Sequence, residues 1–286
     1  MRSWTPLWKG YKAMPASVRR EDMTRLKRRV KDISRRMGAN LVGIASVERW
    51  EQYKMTEEDF YPQNIWEWSK SVIVLGVQIF LPMLETTPSV VYSELYNTTN
   101  RLLDDIAYKT ANFLNQNGFR AFFFPRDCYG DISVLVKKPE AAFSQVIAGY
   151  FAGLGTIGAN HTLLTPEYGP RVRLVSVITD AALKPDPMIK KDICIRCGRC
   201  ISNCPQSCFT ARDDRVAAEM DKHRCAAYHE KLKREYRYPC GLCTAVCPVG
   251  EDRQIYGASS ISEKGIGHVQ SFGSKISVGE YSYIHL

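Results

Sequence analysis

The segment CIRCGRCISNCP (194–205) sets Cys194, Cys197 and Cys200 two residues apart, then Cys204 after three more and directly before Pro205. A shorter run, CGLCTAVCPVGE (240–251), repeats the pattern with Cys240, Cys243 and Cys247-Pro248, but Arg237 stands where its first cysteine would fall. Nine of the 10 cysteines in this 286-residue chain lie between 194 and 247. Short spacings of this kind, in a chain whose N-terminus has no apolar export signal, favour thiolate ligands over a disulfide framework.

Three thiolates in C-x2-C-x2-C wrap three corners of an iron–sulfur cubane, and the cysteine before proline ligates the other cluster. On that pattern one [4Fe-4S] cluster takes Cys194, Cys197, Cys200 and Cys247, and a second takes Cys204, Cys240 and Cys243 and needs one more ligand. The candidates are Cys225, Cys208 and Cys128. Cys208 is close to Cys204, and Cys128 is far upstream beside a strand. Cys225, in HRCAAYHE, sits in the segment joining the two halves and can reach back from a helix, so it is the preferred candidate. Zinc sites use four ligands, usually as two x2 pairs, and fit this run less well. None of the five histidines forms a metal-ligand spacing.

Upstream, NLVGIA (40–45), SVIVLGVQIF (71–80), RAFFFP (120–125) and RVRLVSVITD (171–180) read as strands. YSELYNTTNRLLDDIAYKTANFLNQNG (92–118) carries Leu102, Leu103, Ile106, Phe113 and Leu114 on one helical stripe. PEAAFSQVIAGYFAG (139–153) reads as a second helix with Pro139 at its first position. Strands and helices therefore mix over 16–180 as an α+β domain, followed by the cysteine module at 181–258 and a Gly- and Ser-rich tail at 259–286. AALKPDPMIKK (181–191) reads as the linker. No apolar run reaches transmembrane length, so a cytoplasmic protein is expected.

The net charge of +9 is carried by residues 1–40, where twelve Lys and Arg face Glu21, Asp22 and Asp32. Met23, Leu26, Val30, Ile33 and Met37 give that segment the period of an amphipathic helix with a basic outer face. Such a face is a solvated surface or a docking site for an acidic protein or RNA. AGLGTIGAN (152–160) contains G-x-G-x-x-G, but a helix precedes it and a strand follows, the reverse of a dinucleotide-binding unit. Gly153, Gly155 and Gly158 either make a tight turn or, with Asn160, let the backbone approach a flat or phosphate-bearing ligand.

The cysteine module resembles a bacterial-type two-cluster ferredoxin. With Cys225 and Tyr228 between the complete run and the shortened one, it further resembles the epoxyqueuosine reductase and reductive dehalogenase superfamily. AGLGTIGAN and LLTPEYGPRVRLVSVITD (163–180) extend that resemblance over roughly residues 35–250. It implies that Cys225 completes the second cluster. It also implies a nitroreductase-like α+β domain that holds a cobalamin (flavin being the lesser alternative) and receives electrons through both clusters from a donor such as ferredoxin or flavodoxin. Ala159 replaces the family's lysine, Pro139 falls at the position of the epoxyqueuosine reductase aspartate, and YSELYNTTN lacks the expected histidine. Glu140 and Tyr150 are then the candidate proton donors, although a helix N-terminus would hold Glu140 in its charged form. The expected function is a reductase, with an electron-transfer protein without substrate chemistry and a tRNA-modifying reductase as alternatives.

Overall fold

The computed structural model describes residues 19–255; the tail at 259–286 and the basic segment before residue 19 lie outside the described residues. Helix α1 (Arg19–Arg36) is followed by strand β1 (Leu41–Ser46), short helices α2 (Glu48–Tyr53) and α3 (Pro62–Ile65), and strand β2 (Ser71–Gln78). Then come α4 (Leu81–Leu84), the long helix α5 (Val90–Gln116), β3 (Ala121–Phe124), α6 (Ile132–Lys137) and α7 (Gln145–Phe151). A small hairpin of β4 (Thr156–Ile157) and β5 (Leu163–Leu164) leads into β6 (Val172–Thr179). The cysteine-rich part holds α8 (Arg199–Ser202), the pair β7 (Phe209–Thr210) and β8 (Glu219–Met220), and helices α9 (Lys222–Arg234), α10 (Leu242–Ala245) and α11 (Asp252–Ile255).

Four strands form one antiparallel sheet in the order β1-β2-β6-β3. Side chains alternate across a strand, so the continuous apolar run of β2 supplies two cores. Ile73, Leu75 and Val77 join Leu26 and Val30 of α1 and Leu103, Ile106 and Leu114 of α5 on one face. Val72 and Val74 pack with Trp50, Phe143 and Phe151 on the other. Because both faces are covered, β2 is apolar throughout instead of alternating. Ser89 caps α5 by accepting from the Tyr92 amide at 3.1 Å, as short hydroxyl side chains do at helix starts. Leu102 departs from the predicted stripe: it is 36% exposed, one position round the helix from the buried Leu103.

A second departure lies before the glycine turn. The predicted helix from Pro139 does not form; the chain instead makes α6 earlier, and α7 starts only at Gln145, with Ser144 accepting from the Ile147 amide at 3.3 Å. Ser144 offers the cap, and Pro139 lies in the irregular segment between the two helices. The 181–191 segment is pinned to the sheet. Asp186 accepts from the Ile44 amide at 2.9 Å and pairs with Lys27 at 2.7 Å and Lys31 at 2.6 Å. Two of the basic side chains of α1 are thus engaged within the molecule. Among the described residues no helix is long and apolar enough to cross a membrane.

Candidate cluster and cofactor site

The two cysteine halves are local copies of each other. Gly198, after Cys197, has φ 72° and ψ −5°; Gly241, after Cys240, has φ 67° and ψ −7°. Each left-handed glycine turns the chain into a four-residue helix that carries the next cysteine, Cys200 in α8 and Cys243 in α10. Their surroundings differ. A Cβ on Gly198 would meet nothing within 4 Å, whereas one on Gly241 would lie 2.6 Å from the Tyr92 ring. The first half faces outward, and the second is packed against α5.

The cysteines fall into two sets. Cys194, Cys197, Cys200 and Cys247 line a small cavity of about 20 Å³. Cys204, Cys208, Cys225, Cys240 and Cys243 line a larger one of about 490 Å³. Asn160 borders both; it is 6% exposed and donates from Nδ2 to the Cys243 carbonyl at 3.2 Å. Cys128 lies apart, its thiol donating to the Pro125 carbonyl at 2.8 Å. Cys208 and Cys225 both reach the second set. The Cys208 amide donates to Cys204 Sγ at 3.3 Å, and its thiol is buried with Phe209 and Ala218. Cys225 projects from α9, whose start is capped by Asp221 accepting from the Arg224 amide at 2.9 Å. Burial pushes the free thiols of Cys225 and Cys240 up to about 12, since a thiolate is poorly solvated there. Among the described residues no three His, Cys, Asp or Glu side chains converge closely enough to hold a single metal ion.

The glycine turn serves the packing of the chain. Gly153 has φ +73°, and a Cβ there would stand 2.1 Å from the Pro187 carbonyl oxygen; at Gly155 it would stand 2.0 Å from that of Leu164. At Gly158 it would press on the Leu164 side chain at 2.9 Å. These three glycines admit neighbouring backbone and side chain, while Asn160 is the member of the motif that borders the larger cavity. Glu140 sits on the surface, paired with Lys138 at 2.7 Å and 46% exposed. With α7 starting at Gln145, Glu140 does not stand at a helix N-terminus. Tyr150 packs against Phe151 in the second core and does not itself line the larger cavity.

The sequence reading missed a cluster of tyrosines on the cavity wall. Tyr96, Tyr129 and Tyr238 all line it, and Arg173 lies beside them. The Tyr129 and Tyr238 hydroxyls are 2.8 Å apart, and those of Tyr96 and Tyr238 are 3.5 Å apart. Tyr96 donates to Asp127 at 3.0 Å, and Arg173 pairs with the same carboxylate at 2.7 Å while its guanidinium lies over the Tyr96 ring. Asn100, one turn after Tyr96 on α5, accepts from Arg173 Nε at 3.1 Å. Burial holds the Tyr129 and Tyr238 hydroxyls far above the usual phenol range. The available signal was Tyr96 and Asn100 at i, i+4 within YSELYNTTN, a spacing that puts both on one helix face.

A four-stranded antiparallel sheet flanked by helices, joined to a cysteine-rich part whose thiols fall into two sets, defines a mixed α and β protein. No family model matches the chain. It is 30% identical over 233 residues to a tetrachloroethene reductive dehalogenase from Desulfitobacterium hafniense, an overlap of 73% of this chain and 36% of that protein. It is 26% identical over 216 residues to an epoxyqueuosine reductase from Listeria monocytogenes, covering 72% of this chain and 55% of that one. Among solved structures, a catabolic reductive dehalogenase in complex with 3-bromo-4-hydroxybenzoic acid superposes with a TM-score of 0.60 at 20% identity, over 86% of this chain and 35% of that chain. Relatives carrying both names support the epoxyqueuosine reductase and reductive dehalogenase superfamily, and the solved structure shares the fold. The chain spans 36% of the length of the Desulfitobacterium hafniense reductive dehalogenase.

Proposed function

We propose that this chain is an iron–sulfur reductase in which two [4Fe-4S] clusters deliver low-potential electrons to a cobalamin-type cofactor in the larger cavity. The first cluster is assigned to Cys194, Cys197, Cys200 and Cys247, and the second to Cys204, Cys225, Cys240 and Cys243. On this reading residues 181–258 are a ferredoxin-like module, and 16–180 a nitroreductase-like cofactor domain.

The observation that carries the reading is the shared wall of the larger cavity. Cysteines of the second set and the Tyr96–Tyr129–Tyr238 group both line it. Electrons and a proton can therefore reach one space. The donor set fits iron–sulfur chemistry, since it is all thiolate in groups of four or five. The cavity fits a large organic cofactor less completely: Ile79, Leu135, Val172 and Leu174 give apolar walls, and the tyrosine hydroxyls and Asn160 give a few polar tips. Of the histidines there, His161 is held by the Ala218 carbonyl at 2.6 Å. A corrinoid, when bound, would supply a strongly reducing cobalt centre.

The protein's own part is to position and to protonate. Arg173 neutralises Asp127, and Asp127 orients the Tyr96 hydroxyl. The Tyr129 and Tyr238 hydroxyls stay protonated at neutral pH and present the donor. This role replaces Glu140, which is solvent-facing and ion-paired.

Anaerobic purification followed by reconstitution with cobalamin, and in parallel with flavin, tests the reading. About eight irons and eight sulfides per chain, with a corrinoid band that co-elutes, are expected. Four irons or one zinc would overturn the cluster assignment. Iron–sulfur absorption without either cofactor would point instead to an electron carrier that reduces a partner's cofactor. A tRNA-modifying reductase is the remaining reading. It draws on the relatives named epoxyqueuosine reductase and on the exposed Arg25, Arg28, Arg35 and Arg36 of α1. It requires tRNA binding that weakens steeply with salt.

A further inference from the structure

The small cavity bounded by Cys194, Cys197, Cys200 and Cys247 is separated from solvent by a single layer of residues. Ile195 and Arg196 line that cavity and are also exposed, Ile195 at 65%. Cys197 itself is exposed. Within five residues of this apolar point in the chain come Arg196, Arg199, Lys190 and Lys191, all exposed, with Asp192 the one acid in that stretch. No carboxylate among the described residues is paired with any of the four cations. An exposed aliphatic side chain in a basic, exposed stretch of chain is the complement of an acidic surface with an apolar centre.

We infer that this patch is the docking site for an acidic one-electron carrier protein, and that electrons enter the chain at Cys197. The inference rests on the cluster assignment proposed above. It moves the acidic partner from α1, whose Lys27 and Lys31 are already occupied by Asp186, to the first cysteine loop. The transfer is a one-electron exchange: the carrier is oxidised by one electron, the cluster held by Cys197 is reduced by one, and no bond or proton changes hands. Asn160 borders both cavities, so the route inward passes by Cys243. Charge steering accounts for the cations of this stretch, because a basic patch raises the encounter rate with an acidic carrier by about tenfold or more at low salt.

The test uses the full chain carrying its clusters and a reduced plant-type [2Fe–2S] ferredoxin as the acidic carrier. Bleaching of the cluster absorption is followed by stopped flow, with photoreduced deazaflavin as a small reductant that needs no docking surface. Two variants are compared: Arg199→Glu, which spares the residues lining the cavity, and Lys190→Glu/Lys191→Glu, which lies outside the cysteine loop and spares its geometry. In both, ferredoxin-driven bleaching should slow about tenfold or more at low salt and lose its salt dependence, with iron content and deazaflavin reduction unchanged. Ile195→Ala should slow it further without altering the salt dependence. Unchanged ferredoxin rates in variants with full iron content would overturn the docking site while leaving the cluster assignment standing. A wild-type chain that binds no iron at all would remove that assignment, and the docking site with it.

Discussion

Arg171 and Asp252 form a two-pronged ion pair, Nε to Oδ2 and Nη2 to Oδ1, both at 2.6 Å, with side chains 0% and 1% exposed. Arg171 also donates from Nη1 to the Cys247 carbonyl at 3.0 Å and from Nη2 to that of Val249 at 2.5 Å. One guanidinium, placed immediately before β6, thereby ties the last cysteine of the chain to the central sheet. The planar fork of arginine allows this where a lysine could not.

Asp252→Asn should therefore act on both fold and cluster. It leaves a buried guanidinium without its countercharge, a change that costs about 3–5 kcal/mol. Urea unfolding followed by circular dichroism should show a lowered midpoint. Iron retention should fall, because the Cys247 carbonyl loses its rigid partner. A midpoint equal to that of the unaltered protein would mean that the pair is not what joins module and sheet.

Cys225→Ser and Cys208→Ser separate the two candidates for the fourth corner of the second cluster. A hydroxyl is a weak substitute for thiolate, so Cys225→Ser should lower iron from about eight to about four per chain, and Cys208→Ser should leave it unchanged. The Cys208 amide, which donates to Cys204 Sγ at 3.3 Å, is retained in that variant. The opposite pattern of iron loss would assign the corner to Cys208.

The strands were legible in the sequence because each is rich in apolar and β-branched or aromatic residues, and β2 and β6 are read to within two residues at either end. The order β1-β2-β6-β3 was not legible, since β2 pairs with β6 across almost a hundred residues and nothing local to either strand names its partner. The grouping of the cysteines into two sets was legible for a different reason: spacings of two or three residues keep neighbouring thiols together. The tyrosine cluster has no such constraint. Tyr96 comes from α5, Tyr129 from the loop before α6, and Tyr238 from the module, and only the closed fold brings their hydroxyls together. The glycines were ambiguous for a related reason. A glycine that admits a carbonyl from Pro187 or Leu164 reads the same in sequence as one that admits a ligand.

Tyr238→Phe tests proton delivery with little disturbance of packing. The ring contacts with Tyr96 and His229 survive the change, while the hydroxyl facing Tyr129 is lost. Removal of a general acid lowers turnover by about 10²–10⁴-fold. The iron content and the rate of cluster reduction should be those of the unaltered chain. Equal losses in turnover and in cluster reduction would show that the residue matters for the route of electrons instead.

His229 gives the fold a sensitivity to acid. It lies one turn after Cys225 on α9, edge-on to the Tyr238 ring at a centroid distance of 5.5 Å, and borders the larger cavity. Burial lowers its pKa from the usual 6.5 to about 4, so the folded protein keeps it neutral. As pH falls below 6.5, the unfolded chain takes up a proton that the folded chain refuses, and stability declines until the folded imidazole also titrates near 4. Above 6.5 both states are neutral at this position and the contribution is level. His229→Gln removes the titration, so its stability relative to the unaltered protein should rise as pH is lowered from 7 to 4.5, when both are unfolded in urea at each pH in parallel. Comparing the two chains at the same pH cancels the acid lability of the thiolate ligands, which they share. A stability difference that stays constant across this range would show that His229 titrates alike in the folded and unfolded chains and is not shielded from solvent.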